Sequence, residues 1–164
     1  MTETSSLHVV IIDDSVQMIE MTSDFLKDKF PGIGISTFTT GEEALFKLKQ
    51  SPTAFILDYN LNTKHPQALN GLQVMMQLKN KFNSPVIFLS AQERDDVAVN
   101  AITYGAYSYV SKDKNSFKRL QVILGNILNS SKVKRNLNTQ KTFTMVLAAL
   151  VILLTVVLIM TRLK

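Results

Sequence analysis

Cysteine is absent from the 164 residues. That excludes disulfides and thiolate metal sites, and it suits a cytosolic setting. Histidine is scarce: His8 and His65 have no second His or Cys at metal-ligand spacing, so both are read as structural or solvent-exposed. Met1 to Ser6 has neither a basic start nor an apolar centre, so no secretory signal is visible. Acid is missing from residues 132–164, where Lys132, Lys134, Arg135, Lys141, Arg162 and Lys164 stand without it. The formal net charge of +5 therefore comes from the tail, while residues 1–131 are close to neutral. A nucleic-acid-binding domain would carry a basic face within its fold, so no nucleic-acid partner is expected.

What is there reads as one domain of ordinary size plus an appendage. Leu7-His8-Val9-Val10-Ile11-Ile12 is apolar and β-branched, the pattern of a central parallel strand, and it ends in Asp13-Asp14. Val16, Ile19, Phe25 and Leu26 then fall near helical spacing, up to Pro31-Gly32. Ile33 to Phe38 reads as a second strand. Thr40-Gly41-Glu42-Glu43 fits a capping box that opens a second helix. Phe55-Ile56-Leu57 is the next apolar run, ending in Asp58-Tyr59-Asn60. After a polar loop, Gly71 leads into a third helix with Leu72, Met75, Met76 and Leu78. Pro85-Val86-Ile87-Phe88-Leu89-Ser90 is a fourth strand, ending in a hydroxyl. Glu93 to Tyr104 is a fourth helix, closed by Gly105 as a C-cap. Tyr107 to Val110 is a fifth strand followed by Lys112, and a fifth helix carries Leu120, Ile123, Leu124, Ile127 and Leu128. Strands alternating with helices imply an α/β fold, a doubly wound five-stranded parallel sheet with helices on both faces.

In such a sheet the strand ends lie at one edge, where open α/β folds place their sites. The first and third strands would set Asp13, Asp14 and Asp58 in one pocket. Like charges that close do not all stay ionised without a counter-charge, and a hard divalent cation such as Mg²⁺ takes oxygen ligands. The alternative is a solvated turn with Asp14 as a helix cap. Ser90, Tyr109 and Lys112, each taken alone, fit a strand-end hydrogen bonder, half-buried packing and a surface lysine.

Taken together and in order, these residues resemble the receiver domain of bacterial two-component response regulators over residues 7–128. The resemblance implies the flavodoxin-like (βα)5 receiver fold. It implies Asp13 and Asp14 as the acidic pair that holds Mg²⁺, with Asp58 and the backbone carbonyl of Asn60 as further ligands. Asp58 matches the phosphoacceptor, Ser90 the switch hydroxyl, Tyr109 the switch aromatic, Lys112 the lysine at the fifth strand and Gly71 the glycine that opens the third helix. Asn60 and Gln92 flank the path of the water that would hydrolyse the phosphorylated form. Neither histidine matches a phosphodonor. A phosphatase-type hydrolase is disfavoured, because the second Asp such enzymes use two residues after the nucleophile is Asn60 here. Two departures stand out. Asp113 follows Lys112 where the family usually has proline, so this peptide is expected to be trans, with Lys114 as a competing cation. The stretch from Asp58 to Gly71 is longer than in the family, placing an insertion at about 62–69.

The expected organisation is a receiver at 1–131, a basic connector at 132–141, a transmembrane helix at 142–161 and a short tail at 162–164. Thr142 to Thr161 has no charge, proline or glycine, and its 20 residues would span about 30 Å, the bilayer hydrocarbon. Four basic residues before it against two after predict a single-pass protein of the cell inner or plasma membrane with the receiver on the cytoplasmic side. The function expected is a membrane-tethered, single-domain response regulator with no DNA-binding or enzymatic output domain. It is not an enzyme apart from self-catalysed dephosphorylation. It would take its phosphoryl group from a histidine kinase or phosphotransfer protein and act on a protein partner through the face of the fourth helix, fifth strand and fifth helix. The alternative is a non-phosphorylated pseudo-receiver that recruits a partner to the membrane.

Overall fold

The computed structural model describes residues 7–61, 68–91 and 95–162, with the side chains at 95, 132, 134–136, 138–139 and 151–162 excepted. Strands β1 (His8–Ile12), β2 (Gly34–Phe38), β3 (Ala54–Leu57), β4 (Val86–Ser90) and β5 (Ser108–Ser111) alternate with helices α1 (Val16–Lys29), α2 (Gly41–Lys47), α3 (Gly71–Lys81), α4 (Asp95–Thr103) and α5 (Ser116–Arg162). All strand pairs are parallel, in the order β2-β1-β3-β4-β5. The order reverses between β1 and β3, which leaves a crevice beyond their carboxyl ends.

The two-residue period of the strands divides the apolar runs between two layers. Val10, Ile12, Phe55, Leu57, Val86 and Phe88 face one way, against Ala44, Val74, Met75, Leu78 and Ala101. Val9, Ile11, Ala54, Ile56, Ile87, Leu89 and Val110 face the other, against Ile19, Leu26, Leu120, Leu124, Ile127 and Leu128. Burial on both faces is why these strands read as continuous apolar runs rather than alternating ones.

Local chemistry sets the helix ends. Ser15 caps α1, its hydroxyl accepting from the Met18 N–H. Thr40 caps α2 in the same way, but Glu43 does not close the expected box; its carboxylate pairs with Lys47 at 2.6 Å. The reciprocal box is at α3 instead, between Asn70 and Gln73. After α4, Gly105 turns at φ +94°. Its N–H bonds to the Ile102 carbonyl, and the Ala106 N–H to the Ala101 carbonyl, a Schellman close that needs a residue tolerant of positive φ.

The tail departs from expectation. The chain divides into two compact units, Met1–Leu128 and Asn129–Lys164. The expected connector at 132–141 is helical, because α5 runs from Ser116 to Arg162. No glycine or proline lies between 126 and 162 to interrupt the backbone ladder. Among the described residues no helix is long and apolar enough to cross a membrane. The uncharged run is the end of a helix that also carries Lys132, Lys134, Arg135 and Lys141. The expected span at 142–161, and with it the single-pass placement in the cell inner or plasma membrane with the receiver on the cytoplasmic side, is corrected accordingly.

Candidate functional site

The crevice beyond β1 and β3 holds the acidic cluster. Ile12 lies opposite Leu57 in the β1–β3 register, so the next residue on each strand, Asp13 and Asp58, enters the same space. The Asp58 N–H bonds to the Ile12 carbonyl, which fixes that step. Asp13 and Asp58 are buried and Asp14 is half-buried. One carboxylate oxygen from each of the three lies within 4.8 Å of the others. Asp14 is free of capping duty, since Ser15 caps α1.

Lys112 supplies the one positive charge placed among these acids in the described structure. Ser111 lies opposite Ser90 in the β4–β5 register, and the Lys112 N–H bonds to the Ser90 carbonyl at 2.6 Å. Its ammonium donates to Asp13 Oδ2 at 2.8 Å and stands 3.4 Å from Asp58 Oδ1. Lys114 is exposed and does not take its place. Among the described residues no peptide is cis, so the Lys112–Asp113 step is trans as the replacement of proline predicts.

The two buried acids are satisfied unequally. Asp13 accepts from the Ser15 N–H at 2.9 Å through one oxygen and from Lys112 through the other. Asp58 Oδ1 is buried without a hydrogen bond of good geometry; the Lys112 ammonium stands 3.4 Å away. Burial raises the Asp58 pKa above the usual carboxylate value. The Lys112 ammonium opposes that rise, Asp13 adds to it, and the Asn60 N–H lowers it again. A buried oxygen with no donor, beside two further carboxylates, is what an oxygen-seeking divalent cation such as Mg²⁺ would satisfy, so the residues present fit that ion.

The floor of the site is tightly built. The Gly71 N–H bonds to the Tyr59 carbonyl at 3.1 Å. A Cβ at Gly71 would lie 2.6 Å from that oxygen and closer still to the Asp58 carbonyl. Both neighbours are backbone, so neither yields cheaply. Gly71→Ala is expected to cost about 1–3 kcal/mol in urea unfolding, the range for overpacking a close contact. A cost below about 0.5 kcal/mol would show that the loop gives way.

The remaining candidates lie around this floor. Ser90 is fully buried at the end of β4 and shares a hydrogen bond with the Tyr109 hydroxyl. Burial raises the Tyr109 pKa, and the Ser90 bond opposes it. Tyr109 packs inward with Phe88 and Tyr59, ring centroids 6.4 Å apart in each pair, while Tyr59 meets Phe88 edge-on at 5.5 Å. Sequence reasoning singled out Tyr109 but not Tyr59 or Phe88; nothing in local spacing shows that rings on β4, on β5 and in the turn after β3 converge. Gln92 lies outside the described residues, as do His65 and positions 62–67 of the expected insertion. At the far end of that loop, Glu42 accepts from the Leu69 N–H at 2.7 Å. His8 is half-buried and bonds to Ser36 at 2.9 Å, in keeping with a structural role.

Residues 9–124 match the family model described as "Response regulator receiver domain". The chain belongs to the response regulator receiver family. It is 30% identical over 113 residues to the protein-glutamate methylesterase/protein-glutamine glutaminase of Bacillus subtilis, covering 67% of this chain and 30% of that protein. It is 32% identical over 133 residues to a putative NtrX-like response regulator of Rickettsia felis, covering 80% of this chain and 27% of the relative. The chain thus spans less than a third of the length of either relative. Among solved structures, the signal receiver domain of a putative Luxo repressor protein from Vibrio parahaemolyticus is 26% identical with a TM-score of 0.67, over 79% of this chain and 95% of that one. A receiver domain is therefore what the family model and the structural neighbour have in common. Receivers of two-component systems act mainly as phosphoacceptors and interact with histidine kinases or phosphotransfer proteins, and the acidic pocket at Asp13, Asp14 and Asp58 is where receivers bind Mg²⁺.

Proposed function

We propose that this receiver accepts a phosphoryl group on Asp58 from a histidine kinase or phosphotransfer protein. The observation that carries the reading is the Asp58 carboxylate itself, buried, with Oδ1 lacking a hydrogen bond, facing one ammonium and two more acids. A carboxylate oxygen attacks phosphorus and forms an acyl phosphate, while the bond from phosphorus to the donor breaks and its electron pair leaves with the donor. Asp13, Asp14, Asp58 and the Asn60 backbone carbonyl would hold Mg²⁺, which when bound offsets negative charge on the phosphoryl oxygens. Lys112 is the second cation for that charge. Ser90 would exchange its bond with Tyr109 for one to the arriving phosphoryl oxygen, which releases the Tyr109 hydroxyl while its ring already lies against Phe88 and Tyr59, a switch between two discrete hydrogen-bonding arrangements. Asn60 and Gln92 are proposed to orient the water that ends the phosphorylated state.

Output would pass through a protein partner at the α4–β5–α5 face, where Val99, Ile102, Tyr104 and Tyr107 are exposed. Incubation of the full chain with acetyl phosphate, with and without Mg²⁺, tests the reading by intact mass spectrometry. One added phosphoryl group is expected, dependent on Mg²⁺ and labile as an acyl phosphate. An unmodified chain that also fails to bind beryllofluoride would leave a non-phosphorylated adaptor as the better reading.

A further inference from the structure

Lys112 reaches the acidic pocket from a short turn, and with Asp113 after it the backbone there lacks the stiffness that proline would supply. The Asp113 N–H bonds back to the Ser111 carbonyl at 2.9 Å, so Lys112 is the central residue of a three-residue turn. Such a turn has few internal bonds, and a lysine side chain on it has many rotamers to lose. Asp113 is committed on its far side: Oδ1 accepts from the Asn115 N–H at 2.7 Å and its carbonyl from the Ser116 N–H at 3.1 Å, at the start of α5. Arg119 then closes the arrangement from within α5. Its Nη2 donates to the Ser111 carbonyl at 3.0 Å and to Asp113 Oδ2 at 2.6 Å. A single guanidinium nitrogen thus joins the residues on either side of Lys112.

We propose that Arg119, acting with Asp113, is a positioning residue for Lys112, holding its turn so that the ammonium stays among the carboxylates. The proposal deepens the phosphoacceptor reading and rests on it for its effect on phosphorylation. Arg119 touches no atom of the acidic pocket in the described contacts; its partners are Ser111, Asp113 and, through its own N–H, the Asn115 carbonyl. The pairing also lowers the Asp113 pKa, through Arg119 first and the Asn115 N–H next, so the bridge remains charged well below neutral pH. Each side chain is partly exposed, with relative areas of 44% and 34%, so solvent screens the pair and its effect is moderate rather than absolute.

Two readouts on the full-length chain test this. The first is the rate at which each lysine amine is acetylated by a small reagent, followed residue by residue by mass spectrometry. Lys112, whose side chain is 16% exposed, is expected to react slowly in the wild type, and exposed Lys114 is the internal control. Arg119→Ala is expected to accelerate modification of Lys112 about three- to fivefold while leaving Lys114 unchanged, the scale of losing one partly screened pair. Asp113→Ala, which cuts the same bridge from its other end, is expected to act in the same direction. The second readout is Mg²⁺-dependent labelling by acetyl phosphate in a double-mutant cycle. Arg119→Ala slows labelling by a similar factor in the wild-type background and has no further effect in a Lys112→Ala background, since a residue acting through Lys112 has nothing left to position. Equal slowing in both backgrounds, or unchanged Lys112 acetylation in both bridge variants, overturns the proposal. If the wild type is neither labelled nor able to bind beryllofluoride, the phosphoacceptor reading fails, and Lys112 acetylation alone decides the role of Arg119.

Discussion

Asp58→Asn is expected to abolish Mg²⁺-dependent labelling by acetyl phosphate and at the same time to raise the thermal midpoint at neutral pH. The first effect follows from chemistry. An amide has no anionic oxygen to attack phosphorus, and the side chain keeps its shape, so the loss is of the nucleophile and not of the fold. The second follows from the direction of the Asp58 pKa. Burial raises it, with Asp13 adding to the rise and Lys112 opposing it. A carboxyl whose folded pKa lies above its unfolded value binds more protons folded than unfolded in the window between the two. Stability therefore falls as pH rises through that window and stays reduced above it. Asparagine carries no such charge, so the variant melts higher near pH 7, and its advantage shrinks as pH falls toward about 4, the ordinary carboxyl range. Calorimetry across pH and intact mass spectrometry check the two halves separately. Labelling of the Asn variant at wild-type rate would remove Asp58 from the chemistry, and an unchanged midpoint at neutral pH would mean that Lys112 fully compensates the buried charge.

Asp14→Ala is expected to separate metal binding from folding. Asp14 is half-buried and is not the cap of α1, which is Ser15, so the fold loses little with its side chain. One of the three carboxylates that converge within 4.8 Å is gone, however, and the remaining pair is partly neutralised by Lys112. Mg²⁺ should then bind too weakly to support labelling. A ligand that binds only the folded state stabilises it by about 1.4 kcal/mol at ten times its Kd. The wild type should accordingly gain in thermal midpoint when Mg²⁺ is added, while Asp14→Ala does not respond. Labelling that survives the substitution, or an equal rise in midpoint for both proteins, would place the cation elsewhere.

Much of this was legible in the chain because it is local. An apolar β-branched run marks a strand buried on both faces, and the residue that ends it must lie at the sheet edge; that alone places Asp13, Asp58 and Ser90. Thr40 before α2 and Gly105 after α4 announced helix ends through their own backbone chemistry. Alternation of strands and helices determined the parallel sheet, since parallel neighbours need a crossover between them.

What tertiary structure alone decided is whatever joins residues distant in sequence. The 2.8 Å contact of Lys112 with Asp13 spans 99 positions, and the convergence of Tyr59, Phe88 and Tyr109 depends on the β3-β4-β5 order. Glu43 turned to Lys47 rather than closing a box because the lysine one turn on offered a full charge. The bracket that Arg119 places around Lys112 needs α5 to begin at a particular angle to β5, which no spacing encodes. The tail shows the same division from the other side. Its uncharged run was plain in the sequence, but whether it stands as a separate span or as the end of one helix begun at Ser116 depends on where backbone hydrogen bonding stops, and without glycine or proline after Gly125 nothing in the chain stops it.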